Sequence, residues 1–177
     1  MPYCFCPNPQ KSLRLIAREE WGPKNLKYVL FEDNLLPDGS VLAKYKSFTL
    51  RNGGNDCDFA RIRDPFIQQL ARGLRVETTL SRPVITFLNG EYWGLYSLTE
   101  EYSDNFLEYR YGIDDEQIVA VKCGRIEEGN DEDLSLFTDM FDHIAYGDMT
   151  DPEAWQKACE MLDMDSFVDY CAVQIYI

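Results

Sequence analysis

The sequence predicts an α+β chain, with an antiparallel sheet in the first half and helices in the second. Three observations predict it. Residues 45–51 and 82–100 alternate between two faces, the period of a strand. Asn89-Gly90 interrupts the second of these stretches as the favoured two-residue type I′ hairpin turn. From Ser103 onward, apolar residues recur mainly at three- and four-residue spacing, the helical period.

Residues 1–10 are proline-rich and read as a loosely held arm. Lys11–Arg18 alternates Leu13, Leu15 and Ala17 against Ser12, Arg14 and Arg18, a half-buried strand. Trp21-Gly22-Pro23 is a turn, and Leu26–Phe31 reads as a second strand. Pro37, Asp38 and Gly39 make Asn34–Ser40 a turn or loop. Tyr45–Arg51 is the central strand: Tyr45, Ser47, Thr49 and Arg51 lie on one face, Lys46, Phe48 and Leu50 on the other. Asn52-Gly53-Gly54-Asn55 breaks that pattern, since two glycines admit positive φ. Asp56 is placed to cap a following helix. An arginine delivered to such a turn, with helical N–H groups beyond it, can hold an anion such as a phosphate; alternatively Arg51 pairs with a carboxylate and the glycines only reverse the chain.

That helix is expected over about Cys57–Arg72, with Phe59, Ile62, Phe66 and Leu70 inward and Gly73 ending it. Pro65 inside it predicts a kink or a fresh start capped by Asp64. In the hairpin, Leu88 should face Glu91, Phe87 should face Tyr92 and Ile85 should face Gly94. Gly94 leaves room for a neighbouring ring or for a ligand. Ser103–Arg110 is a short helix capped by Ser103, and Gln117–Lys122 a short strand. Glu127–Asp133 is an acidic loop without the spacing of a calcium site. Leu134–Ala145 is a helix with Leu136, Phe137, Met140, Phe141 and Ile144 inward, and Asp151-Pro152 starts another with Trp155, Ala158 and Leu162 as its stripe. His143 has no Ser or Cys at a triad spacing. The segment after Asp165 or Ser166 is apolar almost all round, which suits a central helix or one covered by a second chain.

At 177 residues, 45% hydrophobic and 14% aromatic, the chain is one ordinary domain with a real core. Its net charge of −14 is uneven: residues 1–98 carry 13 basic and 10 acidic side chains, residues 99–177 carry 4 and 21. Such a balance excludes nucleic acid as a partner. The acidic half is a solvated surface or one that favours basic protein substrates. The six cysteines are scattered without a CxxC pair and read as mostly free thiols, and with a single histidine they make no structural zinc site. No basic region followed by an apolar run marks a signal peptide, and no apolar run approaches membrane-spanning length.

YKSFTLRNGGND, followed by RIRD in a helix and then by RPVITFLNGEYWGLYSLTEEY, resembles the spore coat protein H (CotH) kinase family. The resemblance runs from about Lys11 to the last residue. It implies an atypical protein-kinase-like fold that uses ATP and a divalent metal, Mg²⁺, to phosphorylate Ser or Thr in protein substrates. Residues 11–102 would form the amino-terminal lobe and 103–177 the start of a helical carboxy-terminal lobe. Arg51 would meet phosphate, and Asn52, Gly53, Gly54 and Asn55 would cover it. Kinases often use a helical Glu to orient the phosphate-binding residue. Here Asp64 takes that part, or else it caps the helix or pairs with Arg61 or Arg63. The backbone of Glu100, Glu101 and Tyr102 would meet adenine where the lobes join; otherwise this is a surface link with two solvated glutamates. The VAVK ending at Lys122 matches a kinase phosphate-strand motif, but it follows the helix and hairpin it should precede.

By the same resemblance, the last helix leads into a catalytic loop whose Asp and Asn are absent from this sequence. The chain is therefore expected to carry a nucleotide-binding half, inactive alone, with no metal ligands of its own. The competing expectation is a non-catalytic pseudokinase or scaffold for protein contact. Exposed apolar residues on the last helix would favour self-association. The resemblance also suggests a spore coat or a secreted, cell-surface location.

Overall fold

The structure is a computed structural model and describes residues 9–176. Four antiparallel strands form its main sheet: β1 (Leu13–Ile16), β2 (Ser47–Arg51), β3 (Ser81–Leu88) and β4 (Glu91–Thr99), in the order β1-β2-β4-β3. Helices α1 (Arg63–Ala71), α2 (Asp104–Tyr111), α3 (Leu134–Tyr146), α4 (Pro152–Met161) and α5 (Met164–Tyr176) and a small hairpin, β5 (Ala120–Lys122) with β6 (Arg125–Glu128), complete it. The α+β class is as expected. The chain divides into two compact units, the described part of Met1–Leu70 with Thr78–Gly112, and Ala71–Glu77 with Ile113–Ile177 as far as it is described.

In the first unit, strand alternation sorts the sheet into two unlike faces. Leu50 pairs with Leu98 in register, and both are buried with Tyr96 against Leu30, Phe31, Leu42 and Tyr45. This is the core. Tyr45, expected on the Arg51 face, joins the core instead because it precedes the start of β2 at Ser47. On the other face the register sets Arg14 and Thr99 on either side of Thr49, Arg51 beside Ser97 and Ser81 beside Thr99, a row of hydroxyls with two arginines. Ser81 and Thr99 share a hydrogen bond of 3.0 Å.

Leu26–Phe31 is not a strand. Only Leu26 pairs, with Tyr45, through backbone bonds of 2.8 and 2.9 Å. Leu30 and Phe31 are consecutive and both buried, which a strand's alternation forbids on one face, so the segment lies over the sheet as an irregular cover. The helix expected from Cys57 begins at Arg63 instead, because Arg61 holds a positive φ of 63°. Asp56 still caps it: its Oδ2 accepts from the Arg63 N–H at 3.1 Å. Pro65 falls in the first turn, where its missing donor costs no helical bond. Phe59, Ile62, Phe66 and Leu70, expected inward, are each more than half exposed. The loop at Asn34–Ser40 is as expected, closed by bonds from Leu36 N to Ser40 O and from Gly39 N to Leu36 O.

The hairpin turn forms at Asn89-Gly90, with both φ angles positive. Leu88 faces Glu91 and Phe87 faces Tyr92, their rings edge to face at 5.7 Å. A bulge between Thr86 and Phe87 then shifts the register, so Ile85 faces Leu95 and Thr86 faces Gly94. Ser103 caps α2, its Oγ accepting from Phe106 N at 3.3 Å.

In the second unit, Lys122 pairs with Glu127 across the small hairpin at 3.1 Å. The acidic stretch after it closes on a capping box between Asn130 and Asp133. His143 Nε2 lies 2.9 Å from the Ala154 carbonyl and ties α3 to α4, a packing contact. Asp151 caps α4 as expected, accepting from Ala154 N at 3.3 Å. Leu136, Phe141 and Trp155, expected inward, are about half exposed or more. The cap of α5 is Asp163, whose Oδ1 accepts from Ser166 N at 3.0 Å. Asp165 instead pairs with the Arg75 side chain. No residue of α5 is buried, so it is not the central helix its composition suggests. Cys123, Cys159 and Cys171 are free thiols and Cys57 is buried in the first unit; Cys4 and Cys6, like most of the proline-rich arm, lie outside the described residues. No helix among the described residues is long and apolar enough to cross a membrane.

Candidate functional site

Arg51 ends β2 on the hydroxyl-lined face, and its Nη1 pairs with Asp64 Oδ2 from the first turn of α1. Both side chains remain a little under half exposed. The pairing expected of Asp64 is thus present; its alternative partner Arg63 turns instead toward Asp56, at 3.6 Å. An exposed ion pair of this kind contributes little to stability. It does fix the direction of a guanidinium that keeps donors for another anion.

The turn after Arg51 is built as its glycines predict. Gly53 has φ 100° and Gly54 φ 58°. A Cβ on Gly54 would stand 3.8 Å from Arg51 Nη2, so the bare glycine leaves open the space above the guanidinium. Nearby backbone donors, however, are spent inside the protein. Gly54 N donates to Asn52 Oδ1 at 3.0 Å, Asp56 N to Gly53 O, Cys57 N to Gly54 O and Arg63 N to Asp56. The Asn52 and Asp56 side chains satisfy two of these amides and the Gly53 and Gly54 carbonyls the other two, so these four N–H groups are not offered to an anion. An anion here would rest on the Arg51 guanidinium. Asn55 is exposed.

Glu100, Glu101 and Tyr102 follow β4 in the same unit. The two glutamates are not solvated. Glu100 lies on the core side, 6% exposed. Asn34 Nδ2 donates to its Oε1; Leu80 N, at 2.8 Å, and Arg110 Nη2, at 3.3 Å, donate to its Oε2. Burial raises its pKa, with the Leu80 N–H, Arg110 and Asn34 working against that rise. Its own N–H donates to Leu80 O at 3.0 Å, so that amide is committed. Glu101 turns to the opposite face and pairs with Arg14 Nε at 2.5 Å, leaving its buried Oε2 without a hydrogen bond. The Tyr102 ring meets Phe106 edge to face at 5.3 Å. Asn34, Leu42, Tyr45, Glu100, Glu101 and Phe106 line part of a cleft with little enclosed space.

Sequence reasoning missed the groups that anchor these stretches. Asn34 and Arg110 reach Glu100 from 66 and 10 residues away. Gln10 and Ser12 reach Asn52 from 42 and 40 residues away. Nothing in the local pattern of a polar loop residue signals such a partner.

Among the described residues, no three His, Cys, Asp or Glu side chains converge to hold a metal ion. The guanidinium of Arg51 suits an anion. A family model described as CotH kinase protein matches residues 6–177. No curated protein and no solved structure matches the chain.

Proposed function

This chain belongs to the CotH kinase family, and we propose that it contributes the nucleotide-binding part of a kinase-like phosphotransferase acting on Ser or Thr of a protein substrate. The observation that carries this reading is the Arg51–Asp64 pair. It joins a strand-end guanidinium on a hydroxyl-lined face to the first turn of the following helix. Phosphoryl transfer rests on positioning and on neutralising phosphate charge, and Arg51 supplies both when Asp64 orients it. The Asn52–Asn55 turn covers the phosphates, with the space above Arg51 that Gly54 leaves. The Glu100–Tyr102 backbone meets adenine, held in place by the buried Glu100 network. When bound, ATP supplies the transferable phosphoryl group, and this chain's residues bind and orient it. No metal-dependent step is assigned to them.

A second reading, a module for protein contact, draws on α5, where Phe167, Val168, Tyr170 and Ile175 are exposed. Self-association through that helix is compatible with either.

Calorimetry with ATP, with and without Mg²⁺, tests the first reading on wild type and Arg51→Ala. The expected result is binding that barely depends on Mg²⁺ and weakens about tenfold or more in the variant, in line with losing a charge-assisted bond. Adenosine affinity should stay unchanged. Equal ATP affinity of the two proteins, or no binding by wild type, would overturn the assignment of Arg51.

A further inference from the structure

Gln10 uses both ends of its amide and its carbonyl on three different segments. Its Nε2 donates to Leu95 O on β4 at 2.8 Å. Its Oε1 accepts from Arg61 Nη1 at 3.0 Å. Its backbone oxygen accepts from Asn52 Nδ2 at 2.6 Å. Two residues on, Ser12 Oγ donates to Asn52 Oδ1 at 3.0 Å and accepts from Asn52 N at 3.2 Å. All five bonds lie within the first unit. Between them they seize both ends of the segment from Asn52 to Arg61.

Two backbone features fit this clasp. Gly94 has φ 115°, and a Cβ there would stand 3.0 Å from Gln10 Nε2, tighter than an ordinary contact. The glycine in β4 therefore makes room for Gln10, neither for a ring nor for a ligand. Arg61 holds φ 63°, uncommon for a residue with a side chain, and its Nε donates to Cys57 O at 2.7 Å while Nη1 reaches Gln10. A strained conformation persists where its surroundings over-determine it, and here the guanidinium is fixed at two points.

We propose that Gln10 and Ser12 are positioning residues that lock the glycine turn and thereby set the direction of Arg51. The link is short. Asn52 directly follows Arg51, and Ser12 Oγ holds the Asn52 N–H, so the peptide plane leaving Arg51 is fixed by β1's approach segment. Asn52 Oδ1 passes the constraint to Gly54 N. Release of residues 10–12 frees the turn while the sheet stays paired, so nucleotide affinity depends on a segment that does not touch nucleotide. This inference rests on the reading of the Arg51 face as the phosphate site.

Amide hydrogen exchange and ATP binding, measured together on the whole chain, test it. The amides of Gly54, Asp56 and Cys57 are bonded within the turn, so their exchange reports its opening. In Gln10→Ala they should exchange about tenfold faster, the scale of one or two lost hydrogen bonds, while the Leu50 and Leu98 amides of the sheet keep their rates. ATP affinity should fall severalfold and adenosine affinity stay constant. Gln10→Glu keeps the acceptor for Arg61, loses the donor to Leu95 and should fall between. Unchanged turn exchange overturns the lock. Faster turn exchange with unchanged ATP affinity overturns the positioning role. Should the sheet amides also accelerate, Ser12→Ala, which removes two bonds to Asn52 and none to β4, is read by the same two criteria. If wild type binds no ATP, the phosphate reading fails by itself, and turn exchange still decides the lock.

Discussion

At Glu100 three donors converge on two oxygens, an arrangement that suits a carboxylate, while burial favours the neutral acid. Burial is the larger influence, so the pKa is raised. A carboxyl raised on folding binds its proton more tightly in the folded state. Its contribution is complete below the ordinary glutamate value and is lost as pH rises through the raised one. Glu100→Gln removes the titration and presents an NH₂ to groups that are themselves donors, which should cost about 1–3 kcal/mol. Urea unfolding of both proteins across a pH series should therefore show wild type more stable by a margin that narrows as pH rises. A margin that widens would mean that Arg110 and the Leu80 N–H outweigh burial. The burial of Glu100 was not legible beforehand, since a glutamate pair after a strand looks solvated and its partner Asn34 sits in a distant loop. The Arg51–Asp64 pair was indicated by the family resemblance, since kinases orient a phosphate-binding residue from the following helix; local alternation places only Arg51, and Asp64 enters the first turn because α1 starts at Arg63.

The glycine turn between β2 and α1 was the most readable element, and its two glycines do hold positive φ. They do not carry equal constraint with glycines elsewhere. A Cβ on Gly53 would stand 3.2 Å from Cys57 Cα and 3.3 Å from its N, both backbone atoms, at φ 100°. A Cβ on Gly90, at φ 85°, would meet nothing within 4 Å. Gly90→Ala should cost only the left-handed penalty, about 1 kcal/mol. Gly53→Ala adds the clash and should cost about 2–3 kcal/mol. Chemical denaturation of both variants checks the difference, and equal losses would mean that the turn relaxes around the added carbon. The start of α1 was misplaced for a related reason. Propensity runs smoothly through Cys57–Ile62, but Asp56 caps six residues further on than a local reading places it, at Arg63, and Arg61 turns left-handed between them. The Leu26–Phe31 segment failed likewise: its apolar run is real, yet adjacent buried residues serve a cover over the sheet better than a strand.

Across the whole molecule the apolar core is unequally shared, a property that composition averages away. Of the thirteen buried apolar residues among those described, ten belong to the first unit; the second holds Ala71, Ile118 and Ala158. Two of those three are alanines, which bury little area, so the second unit gains far less from burial than the sheet with Leu50, Tyr96 and Leu98. Elements with few buried contacts open at lower free energy. Amides of α3, α4 and α5 should therefore exchange faster than those of β2 and β4, by about two orders of magnitude or more if opening of the second unit is local. Concentration then separates an intrinsically loose helix from one that awaits a partner. Phe167, Val168, Tyr170 and Ile175 of α5 are 46–77% exposed, and covering such side chains is worth about 1.5–3 kcal/mol each when complete. If α5 mediates self-association, its amides slow as protein concentration rises while those of α3 do not, and Val168→Glu abolishes the effect. Exchange in α5 that is the same at every concentration would sink the self-association reading and leave α5 as an exposed helix of the monomer.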